Sequence, residues 1–390
     1  MKSYSILVIA WNAYLGHVEE FIVNLKKTNP RVKISLLTIE PEPGTDSLPA
    51  RIVENVSEIA FFQKPSKEYG NKLLDGLIKR FYFFRTFICL SKKRYDIVNI
   101  HFVLPSISHV MPWIKKVSRH IVISPWGSDV LRVKGEKKID QLKKVYKEAQ
   151  FVTVGKGSQI GKRLIEVFKV DPEKLVGMAW GGAFFDFIQE NSMSVTIEEA
   201  KERFGLKGRY VITCGYNTQP EQRHEAIIDA IHSVLDQLPD NLTLLFPFTY
   251  GWSEWSDIYT QNIKEKAKGL GFDVVSVEEN LDIPDLLKLR MATDIFVHVQ
   301  TTDAGSRCVM EYVACNKKVV HGSWIYYGYL EKNRPSCYFP VDRLEDLGEC
   351  IIKAYATPIE PLPQEVMDII LRRGWNHQMT RWNNFFESLV

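Results

Sequence analysis

Apolar and polar positions follow two rhythms that alternate along the chain. Short β-branched apolar runs read as strands at 4–10, 33–39, 96–103, 120–124 and 151–155. Between them, near 16–28, 68–92, 106–118, 136–148 and 157–168, apolar residues recur at helical spacing. The second half begins the same rhythm again. Strands read at 209–214, 242–247, 273–277, 294–299 and 318–321, and helices near 221–236, 254–269, 283–292, 305–314 and 343–355. Near-continuous apolar strands between amphipathic helices predict parallel sheets covered on both faces. No short-period repeat is read. The expected architecture is α/β, with two doubly wound, Rossmann-like domains in tandem. Their expected bounds are 1–187 and 188–372, and a last helix at 373–390 crosses back to the first domain. The stretch 178–195, with the pair Gly181-Gly182 and a polar tail, reads as the linker.

Composition narrows the function classes. A chain of 390 residues exceeds what one hydrophobic core usually serves, which agrees with two domains. Fifty basic residues stand against 47 acidic ones, a net charge of +3. That balance excludes the strong basic bias of nucleic-acid binders. Six cysteines occur without a CxxC pair, so a zinc site is not expected. Most lie in apolar runs, as buried free thiols of a reducing compartment do. Trp11 and Asn12 interrupt the first apolar run, so it does not read as a signal peptide. No stretch approaches the ~20 apolar residues of a membrane span. The expected location is cytoplasmic. One stretch, 73–94, mixes Lys79, Arg80, Arg85 and Lys92 with Phe81, Tyr82, Phe83 and Phe84. Such a helix can lie peripherally at an inner membrane face and receive a lipid-linked acceptor, or it can pack on the core with cationic flanks.

Four constellations carry candidate chemistry. In the second half, Asp303, Gly305, Ser306, Arg307 and Glu311 follow an apolar strand and open an apolar-faced helix. Asp303 falls in the loop and Glu311 about two turns along the helix. N–H groups near Gly305, Ser306 and Arg307 would stand unpaired at the helix start and form an anion site. The plainer alternative makes Asp303 a cap and Glu311 a solvated helix residue. Gly215 follows the first strand of the second domain, with Gln222 and Arg223 opening the next helix; an Arg fork suits a phosphate, and a solvated Arg is the alternative. In the first half, His101 ends the strand Asp96-Ile97-Val98-Asn99-Ile100, and Trp126-Gly127-Ser128-Asp129 follows the next strand at the same sheet edge. Ligands of doubly wound sheets bind at that edge. A core histidine and a capping aspartate are the alternative. Gly16, after the first strand, is the weakest candidate.

In these motifs the sequence resembles the family 4 glycosyltransferases and their GT-B relatives. The family carries Glu, seven residues, Glu at a strand-to-helix junction; here Asp303 replaces the first Glu and Glu311 matches the second. The resemblance implies that Asp303 holds the donor sugar and Glu311 the nucleotide ribose. It implies that Gly215 and Arg223 meet the donor diphosphate, with Tyr216 and Gln222 where Arg and Lys often stand. It further implies that His101 contacts the sugar, that Asp129 orients the acceptor or positions the proton network, and that Gly16 lies in a loop near the diphosphate. The Gln222-Arg223-His224 wording also resembles the lipid-linked amino-sugar (fucosyl-type) transferases. The stretch 180–187 resembles the family's linker, and the region of Trp375 and Trp382 its final helix. The fold so implied is GT-B, two Rossmann-like domains facing across a cleft.

The activity implied is transfer of a hexose-type sugar from a nucleoside diphosphate to a glycan or lipid-linked acceptor in bacterial surface polysaccharide assembly. The carboxylate pair suggests retention, and the amino-sugar likeness leaves inversion open. No Asp-x-Asp pair occurs, so no metal or other cofactor is expected, and Arg223 with the helix start at 305–307 would neutralise the leaving charge. The rival readings are a non-catalytic nucleotide-sugar or glycan-binding protein, and another GT-B reaction such as sugar-nucleotide epimerisation or phosphorolysis.

Overall fold

A computed structural model describes residues 1–11, 16–39, 48–62, 77–78, 81, 85–86, 93–191 and 195–390. Most of the stretch 73–94, including Lys79, Arg80 and Lys92, lies outside the described residues, as do residues 12–15 before Gly16. Among the described residues, no helix is long and apolar enough to cross a membrane.

The chain divides into two units, Met1–Gly181 with Trp375–Val390, and Gly182–Gly374. The first holds strands β1 (Ser5–Ala10), β2 (Lys33–Ile39), β3 (Glu58–Phe62), β4 (Tyr95–His101), β5 (Ser118–Ser124) and β6 (Phe151–Val152). They form one sheet in the order β3-β2-β1-β4-β5-β6. Every ladder in it is parallel. The second unit holds β7 (Tyr210–Cys214), β8 (Leu242–Pro247), β9 (Asp273–Val277), β10 (Ile295–His298), β11 (Lys318–Gly322) and β12 (Tyr338–Val341). Their order, β12-β11-β10-β7-β8-β9, repeats the first topology strand for strand, again all parallel. In each sheet the winding direction reverses between the first and fourth strands. That switch point opens a crevice at the carboxyl ends of the strands.

The central strands are buried on both faces, which explains their unbroken apolar runs. Ile6 to Ala10 and Ile97 to His101 are all within 2% of full burial. Two edge strands, β3 and β12, were not expected from the apolar pattern. Both are short; Glu58 to Phe61 in β3 are only half-buried, and β12 carries Pro340, which an edge position tolerates. The expected linker at 178–195 is instead largely a helix, Ala183–Asn191. Phe184, Phe185 and Ile188 put that helix into the core of the second unit, against Phe296, Val309 and Met310.

One device recurs in both units. The fourth strand of each is preceded or opened by an aspartate and ends in a buried histidine. Asp96 Oδ2 accepts from the backbone N–H of Ser5 at the start of β1 (2.8 Å). Asp294 Oδ2 accepts from the backbone N–H of Val211 in β7 (2.7 Å). The runs end at His101 and His298, both at the switch point. The aspartate fixes the register of the two strands that flank the crevice, and the buried histidine closes the strand at that edge.

Candidate functional site

In the second unit the switch point is built around Gly215. Its φ of +64° lies in the left-handed region, and a Cβ there would meet His224 Nε2 at 2.8 Å and Gln222 Oε1 at 3.0 Å. Only glycine fits such a turn without strain. Gln222 is buried and ties the loops together: its Oε1 accepts from the Tyr216 N–H (3.2 Å), and its Nε2 donates to Gln300 Oε1 (2.7 Å). Gln222 therefore stands as a loop tie. Arg223 follows with its own left-handed backbone, φ +61°, capping the helix His224–His232. Its guanidinium lies over the Trp324 ring at 5.4 Å, and Trp324 Nε1 donates to the Gln300 carbonyl (2.8 Å). Arg223 makes no ion pair among the described residues. His224 is buried, its Nδ1 against Tyr259 Oη at 2.9 Å, and burial pushes its pKa down to about 3.

Asp303 lies beyond the end of β10 and is nearly buried. Its Oδ2 accepts from three donors: His298 Nε2 (3.0 Å), the Tyr327 hydroxyl (2.5 Å) and the Ser306 N–H (3.1 Å). Burial pushes the carboxyl pKa up, but the His298, Tyr327 and Ser306 bonds outweigh it and hold the group below the usual carboxylate range. Oδ1 takes no hydrogen bond among the described residues. The helix Arg307–Ala314 starts just after, with Ser306 as its cap; the Ser306 hydroxyl accepts from the Cys308 N–H (3.2 Å). The expected anion site at Gly305, Ser306 and Arg307 is thus smaller than the pattern suggests. The Ser306 and Cys308 N–H groups already have protein partners, because Asp303 caps the turn three residues ahead. Gly305 is exposed, at φ +90°, with open space around it.

Glu311 is not a solvated helix residue but is buried, one turn into that helix. Arg290 reaches it from the helix Ile283–Ala292 and donates through Nε (3.1 Å) and Nη2 (2.8 Å), both to Oε2. Burial pushes the Cys308 thiol pKa up, with Arg290 opposing that rise and the charges of Glu311 and Asp303 adding to it. Asp303 and Glu311 therefore each have one oxygen fixed by the protein and one left over. Among the described residues no three His, Cys, Asp or Glu side chains group as metal ligands.

In the first unit, His101 ends β4 at 1% exposure. Asn99, two residues earlier, donates to the Val122 carbonyl (3.2 Å) and to Ser124 Oγ (2.8 Å), so its Oδ1 is the acceptor facing His101 Nε2 at 2.6 Å. The proton therefore sits on Nε2. Nδ1 has no partner among the described residues, and the ring is flanked by Phe21 (4.8 Å between ring centroids), Trp180 (5.1 Å) and Trp126 (6.4 Å). Burial pushes the His101 pKa down to about 3, so the ring is neutral. Asp129 ties two loops. Oδ2 accepts from the Val103 N–H (2.9 Å), and Oδ1 from those of Trp126 and Gly127 (2.9 Å each). Burial raises its pKa despite these bonds. Both its oxygens are occupied by backbone, so it organises the edge. Gly16 opens the helix Gly16–Thr28 in open space, and the next ring, His17, lies 5.5 Å from Trp126.

No family model and no curated protein matches the sequence. Solved structures match over nearly the full length of both chains. A glycosyltransferase from Rickettsia africae aligns at 14% identity and TM-score 0.68, covering 100% of this chain and 99% of that one. HepE of Anabaena, solved with UDP and glucose, aligns at 15% and 0.70, covering 99% and 100%. Sucrose-phosphate synthase from Thermosynechococcus elongatus aligns at 12% and 0.69, covering 99% of each. The fold is that of the GT-B glycosyltransferases. In GT-B terms, the two six-stranded sheets are its two Rossmann-like units. The sequence motifs had singled out the strand ends of this GT-B chain but not the residues that hold them. His298, Tyr327, Gln300 and Arg290 were missed. A signal existed for His298, since Asp294-Ile295-Phe296-Val297-His298 parallels Asp96-Ile97-Val98-Asn99-Ile100-His101. A lone arginine in an apolar helix was the signal for Arg290.

Proposed function

We propose that the chain is a glycosyltransferase that moves a hexose-type sugar, with retention, from a nucleoside-diphosphate donor to a glycan or lipid-linked acceptor in bacterial surface polysaccharide assembly. One observation carries this reading: among the described residues, two carboxylates at one helix start each keep an oxygen without a hydrogen bond, beside a glycine turn and an arginine without an acidic partner. The full-length likeness to HepE, solved with UDP and glucose, supports a sugar nucleotide as donor.

Each side chain then has a role its geometry suits. Arg223 binds the diphosphate through its planar fork, and the exposed turn at Gly305 lets backbone approach it. Glu311 accepts from the ribose through Oε1, and Asp303 from a hydroxyl of the donor sugar through Oδ1. Asp129 acts through the loops it ties. The bond from the anomeric carbon to the diphosphate oxygen breaks as the acceptor hydroxyl oxygen bonds to that carbon; its proton passes to the departing diphosphate. Arg223 and the helix terminus neutralise the leaving charge without a metal.

A thermal-shift screen with UDP-, GDP- and dTDP-sugars, followed by turnover of the radiolabelled donor, tests the proposal. A donor that raises the melting temperature and is consumed only with acceptor supports it; stabilisation without turnover under any acceptor points to a binding protein. Activity is expected to persist in excess EDTA, and loss with rescue by manganese or magnesium would overturn the metal-free clamp. Glu311→Gln is expected to weaken nucleotide binding by about 1.5–3 kcal/mol, the worth of a charge-assisted bond. Asp303→Asn is expected to depress turnover more than affinity.

A further inference from the structure

We propose that Arg290 is a positioning residue that holds Glu311 aimed at the donor nucleotide; this rests on the nucleotide-sugar reading above. Arg290 sits near the end of the helix Ile283–Ala292, 5% exposed, beside the buried Leu287 and Leu289. A charge so placed is a poor device for stability, since burying it costs about as much as the pairing returns. Its guanidinium is nonetheless fully engaged. Nε and Nη2 donate to Glu311 Oε2, Nη1 donates to the Tyr312 hydroxyl (3.1 Å), and the group lies 4.5 Å over the Tyr312 ring. That ring stacks on Phe296 at 4.0 Å. The arginine is thus locked by packing before it touches the carboxylate.

The pattern of its bonds is the informative point. An arginine and a carboxylate left to themselves pair fork to fork, one N–H on each oxygen. Here both N–H groups fall on Oε2, and Oε1 takes no hydrogen bond among the described residues. The pair anchors Oε2 and leaves Oε1, buried beside it, without a hydrogen bond among the described residues. Without the guanidinium, Glu311 would lie buried without its ion-pair partner and would swing away.

The test is a double-mutant cycle on nucleotide affinity. UDP, GDP, ADP and dTDP are each titrated calorimetrically into wild type, Glu311→Gln, Arg290→Met, Arg290→Lys and the double variant E311Q/R290M. For the nucleotide that binds wild type best, E311Q and R290M are each expected to lose at least tenfold. The double variant is expected to be no weaker than E311Q, and Arg290→Lys, which keeps charge but not fork, to fall between. In turnover, R290M should raise the donor KM and leave the acceptor KM unchanged. Wild-type affinity in R290M, or losses that multiply in the double variant, would overturn the positioning role. Wild-type affinity in E311Q would instead overturn the assignment of Glu311 to the nucleotide. Should R290M fail to fold, Arg290→Lys in the wild-type and E311Q backgrounds gives the same cycle.

Discussion

Asp303 and Glu311 each commit one carboxylate oxygen to the protein and keep the other. The spacing of these two residues was legible because it is a local property of a strand end and the helix behind it. Their partners were not, because His298, Tyr327 and Arg290 are joined to them only by tertiary packing. The same limit explains Asp129 and Gln222: residue type and position flagged both, but only the fold shows backbone N–H groups and Gln300 occupying them. Gly215→Ala tests the turn at this scale. A left-handed alanine whose Cβ meets His224 and Gln222 is expected to destabilise the second unit by about 2 kcal/mol or more, read as a lowered denaturation midpoint. Acid supplies a second test. His101, His224 and His321 are held neutral by burial, with pKa values pushed down to about 3. Unfolded, they titrate near ~6.5, so the unfolded chain binds more protons between these values and stability falls as pH drops below ~6.5. Each is expected to account for on the order of 2 kcal/mol between pH 7 and 5. His224→Gln should flatten the denaturation midpoint over that range, and an unchanged slope would refute its share.

At the scale of elements, ten of the twelve strands follow from apolar runs, because strands buried on both faces need apolar residues at every position. The two exceptions are edge strands. Glu58–Phe62 is only half-buried, and Tyr338–Val341 is four residues long and interrupted by Pro340, so neither carries a run long enough to stand out. The helix Ala183–Asn191 was hidden by the glycine pair before it and the polar residues after it, although Phe184, Phe185 and Ile188 already mark an apolar face. Loops gain their order from single carboxylates. Asp129→Ala would strip three backbone N–H groups of their acceptor at once, each worth about 1–3 kcal/mol when left buried. The variant is expected to melt well below wild type. Asp129→Asn, which retains one acceptor oxygen, should lose less, and equal melting temperatures for both variants would show that the loops hold themselves.

For the whole molecule, the last helix, Trp375–Ser388, is built into the first unit. Phe21 lies within 6.4 Å of Trp375, Trp382 and Phe386 by ring centroid, Trp375 Nε1 donates to Glu20 (2.7 Å), and the Tyr4 hydroxyl donates to Asn383 (3.0 Å). Ending the chain after Gly374 would expose that aromatic cluster, whose members each contribute about 3–5 kcal/mol when buried. Calorimetry is expected to show the first unit losing its cooperative transition while the second keeps its own. Gly182 N–H donates to the Arg373 carbonyl (3.0 Å), so the second unit begins and ends at one spot and is, in sequence, an insertion within the first. The order of assembly at the ribosome follows. The inserted unit is complete in sequence before Trp375 to Phe386 are made. The first unit, though synthesised earlier, waits with the Phe21 face uncovered until Trp375 to Phe386 arrive.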